Sequence, residues 1–172
     1  METSNLEQKP RMANPFPHAM RWGLALGGCF VVNFLMSVSG IMLLSVLTWV
    51  LDIVILWLIY RFARNYRDTE CGGAIRYGQV FVYVWLLVFF AALIAGAAKF
   101  LYLQFLAPDY LSNLYSQLMI MFEESGLSLP NGFAEQFQAM MQPIQYTFQS
   151  ITMDCLLGCM VGVIYGFCIR RA

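Results

Sequence analysis

The stretch Trp22–Leu51, WGLALGGCFVVNFLMSVSGIMLLSVLTWVL, decides the fold, because thirty consecutive residues contain no charged side chain. One helix across a bilayer needs about 20 apolar residues, so this run is too long for one crossing and supplies most of two. Its interior break is Ser37-Val38-Ser39-Gly40, small polar residues suited to a tight turn between antiparallel helices. The reading is a first span over 17–36 and a second over 41–60. Pro17 suits a first helical turn, where its missing N–H has no intrahelical partner to lose. Two more uncharged runs lie downstream. They place a third span over 78–106, stopped by Ala107-Pro108, and a fourth over 147–169, ended by Arg170-Arg171.

Composition agrees. Of 172 residues, 60% are hydrophobic and only 12% charged, about half the charged share of a soluble domain. Ten basic and ten acidic side chains cancel, so no net field points to nucleic acid. The fold class expected is an all-α membrane protein, a four-transmembrane-helix bundle formed by residues 17–171, preceded by a tail at 1–16. The lipid bilayer is its first partner, and no nucleic acid is expected.

Basic residues mark the cytoplasmic side of a membrane protein. Nine of the ten lie on one side of a four-span path: Lys9, Arg11, Arg21, Arg61, Arg64, Arg67, Arg76, Arg170 and Arg171. The segment 107–146 has none and carries Asp109, Glu123, Glu124 and Glu135. Both termini are therefore expected in the cytoplasm, in a multi-pass chain of the cell membrane, with the 107–146 loop outside. A competing reading treats residues 1–39 as a signal peptide with Ser37-Val38-Ser39 at its cleavage site. Its basic region is unusually long, and the mature chain would begin inside the next span.

The external loop reads as an amphipathic hairpin. Leu111, Leu114, Tyr115, Leu118 and Phe122 repeat at three- and four-residue intervals, and Phe133, Phe137, Met140 and Met141 form a second stripe after Pro130-Asn131-Gly132. It is expected to cover its own bundle; lying on the membrane surface or binding a partner are the alternatives.

Lipid gives helices little hydrophobic reason to associate, so close approach at small residues matters more. Gly158, Gly162 and Gly166 repeat every four residues on the fourth span, and Gly23 with Gly27 do so on the first. Packing inside the bundle is the expected use; homodimerisation through the fourth span is the alternative.

Few side chains are candidates for chemistry. Asp52 falls ~13 Å inside the second span, where an ionised carboxylate costs ~3 kcal/mol or more. Tyr165, Tyr83 or Thr48 lies at a depth that suits a hydroxyl partner for it. It is read as a neutral, hydrogen-bonded acid that locks the second span to its neighbours, or alternatively as a protonatable site on an ion or substrate path. Asp154 and Lys99 are expected at similar depth near the outer side and are read as an interhelical ion pair, with Asn33 and Gln104 available to the same patch. The five cysteines are odd in number and lie mostly in spans, which argues against disulfides. Cys155 and Cys159 share a helix face without a His or acidic cluster beside them, and His18, the only histidine, is placed in the tail. Neither a nucleophile elbow nor a phosphate loop is present. No catalytic residue, cofactor or metal is expected.

The order of features resembles a family of small four-span inner-membrane proteins of bacteroidete-type bacteria, domain-of-unknown-function family 4199. The likeness is carried by Trp22-Gly23-Leu24-Ala25-Leu26-Gly27-Gly28, by Gly73-Ala74-Ile75-Arg76-Tyr77-Gly78-Gln79-Val80-Phe81, and by Phe105-Leu106-Ala107-Pro108-Asp109-Tyr110 before an acidic helical loop. It covers roughly 17–171. The resemblance implies a bacterial cytoplasmic membrane and the same four-span plan, and it brings no activity and no functional residues. The expected function is a non-enzymatic binding or scaffold component of that membrane, with a membrane-protein partner or a second copy as its companion. The alternative is a small proton-coupled carrier using Asp52.

Overall fold

The structure, a computed structural model, describes residues 14–126 and 132–169. Among these residues six α-helices follow one another: α1 (Pro15–Val38), α2 (Met42–Thr69), α3 (Tyr77–Leu101, continued by a π-helical turn over Tyr102–Leu106), α4 (Tyr110–Glu124), α5 (Phe133–Met140) and α6 (Pro143–Ile169). Four of them, α1, α2, α3 with its π-turn, and α6, are long and apolar enough to cross a membrane. The chain is an all-α membrane bundle. Lys9, Arg11, Pro130, Asn131, Arg170 and Arg171 lie outside the described residues.

The spans run longer than the sequence pattern indicates, for local reasons. α1 begins at Pro15, not Pro17, because Asn14 caps it: its side chain accepts from the Phe16 N–H at 3.1 Å. His18 is therefore inside the first helix and not in a tail. α2 passes Tyr60 and continues to Thr69. Beyond Tyr60 it turns amphipathic, burying Phe62, Ala63 and Tyr66 while Arg61 and Arg64 face outward. The turn between α1 and α2 falls at Ser39 and Gly40, as their composition indicates, with Gly40 in the left-handed region at φ 69°.

α3 is the hub. It is 56% buried over its most apolar window, against 12% for α2 and 17% for α6. α1 and α6 each pack along it, and α2 leans chiefly on α1. Small residues set these distances. A Cβ on Gly23 would stand 2.8 Å from Phe90 Cβ and 3.2 Å from the Leu87 carbonyl, and one on Gly27 would stand 2.9 Å from Ile94 Cβ. On α6, Gly158 meets Val88, Gly162 meets Phe81 and Gly166 meets Tyr77. All five glycines thus serve contacts with α3. A dimer built on the α6 glycine face would have to displace α3 from it.

The two ends of the bundle differ. At the end where α1 starts and α6 finishes, here the terminal end, Tyr66 and Tyr83 stack at 4.3 Å and 3°. His18 Nδ1 lies 2.8 Å from the Tyr83 hydroxyl, and Trp22 packs on Phe62 at 4.6 Å. At the opposite, hairpin end, α2 stands away from the bundle: among its described side chains none before Ile55 is buried. α4 and α5 meet through Tyr115 and Phe122 on one and Phe133 and Phe137 on the other, with ring centroids 5.9–6.4 Å apart. Their packing against the spans is slight. Of the two stripes only Leu111 is buried, the rings of Tyr115, Phe122, Phe133 and Phe137 are half-buried, and Met140 stays exposed.

Candidate functional site

Because α2 diverges toward the hairpin end, a cavity of about 770 Å³ opens between it and α6. α1 lends Phe30, Asn33, Phe34 and Ser37, and α3 lends Val88 and Lys99, so these two helices form its back. α2 and α6 are its side walls. They touch only slightly. At the cavity's lower edge the Tyr165 hydroxyl donates to the Leu56 carbonyl at 3.0 Å, and its ring meets Tyr60 edge-on at 5.7 Å. Tyr165 is thus a clasp between α2 and α6, and not a partner of Asp52.

Five of the polar residues singled out in the sequence line this one space: Asn33, Thr48, Asp52, Lys99 and Asp154. Their pairings differ in part from expectation. The Asn33 amide donates to Asp52 Oδ1, whereas depth alone offers Asn33 to the Lys99 patch and hydroxyls to Asp52. Tyr83 is committed to His18, and Gln104 is exposed outside the cavity. Lys99 behaves as its depth indicates. Its ammonium lies 3.5 Å from Asp154 Oδ2, donates to Ser150 Oγ, and sits 5.8 Å from the Phe34 ring centroid. Both partners are largely sheltered, with side-chain exposures of 14% and 23%. A sheltered charge is retained at modest cost only when it is matched, and Lys99 is matched on three sides.

Asp52 is in a different position. Its carboxylate is exposed to the cavity and its partner is a neutral amide. The cavity therefore carries two carboxylates and one ammonium among aromatic walls, with Phe30, Phe34, Trp49 and Tyr146 in its lining. Its volume falls in the range of small-molecule sites, and the combination of mostly apolar walls with a few convergent polar groups is typical of them. Among the described residues there is no group of three or more His, Cys, Asp or Glu side chains placed to hold a metal.

The aromatic cluster around His18 is not legible as a site when His18 is placed in a tail. The Asn14-Pro15 cap and helix start is the signal that locates it one turn inside α1. Next to this cluster, in the link between α2 and α3, Cys71 is buried at 3% exposure. Burial pushes its thiol above the ordinary cysteine range. Its hydrogen bond with Tyr66 opposes that shift in part, and the nearby Glu70 carboxylate adds to it.

A family model described as "Protein of unknown function (DUF4199)" matches residues 21–171, nearly the whole chain, and the protein belongs to that family. Neither a curated protein nor a solved structure matches it.

Proposed function

We propose that this member of a family of unknown function is a non-enzymatic binding component of the bacterial cytoplasmic membrane that holds a small membrane-soluble molecule between α2 and α6. One observation carries the reading: the chain's intramembrane charges converge on one cavity of molecular size instead of being dispersed or sealed. A purely structural bundle gains nothing by leaving a carboxylate facing open space at that depth, where its solvation is poor. Orientation follows the basic residues. Arg61, Arg64, Arg67 and Arg76 sit toward the terminal end, and Asp109, Glu123, Glu124 and Glu135 belong to the hairpin region. With both termini cytoplasmic, the cavity serves the outer half of the membrane.

Native mass spectrometry of the full chain released from lipid nanodiscs tests the reading. The wild type should carry a reproducible small-molecule adduct, and Leu157→Trp, which enlarges a wall side chain, should lose it while staying monodisperse. An adduct-free wild type, or one indifferent to the wall substitution, would remove the support for a binding role.

The exposure of Asp52 to the cavity favours a second reading, a small proton-coupled carrier. Proteoliposomes should then show substrate-driven proton uptake that Asp52→Asn abolishes. Uptake equal in both proteins, or absent from both, excludes Asp52 as a transport residue.

A further inference from the structure

We infer that the cavity between α2 and α6 takes a singly charged cationic amphiphile, an organic ammonium group joined to an apolar body, with the ammonium against Asp52 and the apolar part along the aromatic and aliphatic walls. The inference rests on the binding reading above and assigns the chemistry of its ligand.

Charge arithmetic comes first. The cavity lining contains Asp52, Asp154 and Lys99 as its ionic groups. Two carboxylates against one ammonium leave a single negative charge. Location decides where that charge acts. Lys99 is already engaged by Asp154, Ser150 and the Phe34 ring, so it has no spare capacity for an anion and Asp154 has little for a second cation. Asp52 faces the cavity with a neutral amide as its partner. In a low-dielectric space with apolar walls an ionic attraction is felt far more strongly than in water, and the group complementary to this site is one cation.

The walls refine the class. Phe30, Phe34 and Tyr146 join Trp49 in the lining, and Trp49 lies one helical turn before Asp52 on α2. Aromatic faces attract ammonium groups, and quaternary ammonium most characteristically. An inorganic cation would leave most of the space unfilled and would make no use of its apolar walls. Ile55, Leu56, Ile59, Leu157 and Val161 extend the lining away from the charge as a purely apolar surface. That surface calls for a hydrocarbon body. The shallow contact between α2 and α6 supplies a lateral path from the membrane.

Three probes with one tail test the charge: dodecyltrimethylammonium, dodecanol and dodecyl sulfate, each titrated into the full chain in a non-ionic detergent and followed by native mass spectrometry. Tetramethylammonium, the headgroup alone, tests the tail. The wild type should bind dodecyltrimethylammonium at least tenfold more tightly than the other three. Asp52→Asn is nearly isosteric and should weaken that probe ~10- to 100-fold, the size expected for losing a charge-assisted contact, while leaving dodecanol unchanged. Trp49→Leu, at a position already 75% exposed and so harmless to folding, should weaken the cation several-fold and spare dodecanol.

Equal binding of the cation and dodecanol, or equal affinity of wild type and Asp52→Asn for the cation, overturns the charge assignment and leaves the cavity a binding site for neutral amphiphiles. Tight binding of tetramethylammonium overturns the amphiphilic part. A wild type that binds none of the four overturns both this inference and the binding role beneath it.

Discussion

The terminal and hairpin halves of this bundle are made from the same four helices, yet one half closes and the other stays open. At the terminal end α2 presents Phe62, Ala63 and Tyr66 to the core, and all three are buried. Phe62 meets Trp22 and Tyr66 stacks on Tyr83, whose hydroxyl is paired with His18 within the apolar contact. At the hairpin end the corresponding contact between α1 and α2 is Asn33 with Asp52. Closing α2 onto the bundle at that level would bury a carboxylate whose protein partner is neutral, a cost that lipid-like surroundings do not relieve. The contrast teaches where this bundle derives its rigidity. Aromatic packing around the Tyr83–His18 pair closes one end, and at the other Asp52 lines an open cavity with a neutral amide as its partner.

If that contrast is right, truncations at the two ends should differ widely in cost. Tyr83 is fully buried, stacked on Tyr66 and bonded to His18. Tyr83→Ala should destabilise by ~3–5 kcal/mol, the range for emptying a buried aromatic site, and lower the Tm in a mild detergent by at least ~6 °C. Trp49→Ala removes a larger side chain from the open half, where Trp49 is 75% exposed. It should change stability by no more than ~0.5 kcal/mol. Comparable losses from the two substitutions would mean that the halves are equally packed, and the cavity would lose its structural rationale.

The sequence reveals these two regions unequally, for physical reasons. Spans are legible because a backbone in lipid must satisfy its own hydrogen bonds, which forces long apolar helices; Trp22–Leu51 and the runs before Ala107 and Arg170 display them directly. Depth is legible too, since rise per residue is constant, and counting along the third and fourth spans is enough to pair Lys99 with Asp154. Azimuth is not. Which side of α1 faces α2 depends on how Gly23 and Gly27 rotate that helix against α3, and so depth alone assigns Asn33 to the wrong acid. Helix ends are blurred where charge and burial compete. Arg61 suggests that the second span is over, whereas Phe62, Ala63 and Tyr66, one and two turns past Tyr60, carry the same helix on to Thr69. Placing His18 in a tail follows from reading Pro17 as the helix start when Asn14 and Pro15 make it.

The smallest effect expected concerns Cys71, which reports on the closed end without perturbing it. Its thiol is buried beside Tyr66 and its pKa is raised, and the thiolate is the species that reacts with maleimides and haloacetamides. A raised pKa leaves less thiolate at any given pH, so alkylation of Cys71 in sealed vesicles should be slow near neutrality. Its rate should go on rising at pH values where an ordinary thiol, with a pKa of about 8.5, has levelled off. Cys168, exposed at the same end of the bundle, provides a comparison within the same sample, with both sites quantified by peptide mass spectrometry. Simple steric shielding would lower the Cys71 rate by one factor at every pH and leave the midpoint of its profile at the ordinary value. A shifted midpoint in the wild type that returns to the ordinary value in Tyr83→Ala would tie the thiol to the aromatic packing above it. An unshifted midpoint would show that the terminal end is wetter than its stacked rings imply, and the difference between the two halves would shrink accordingly.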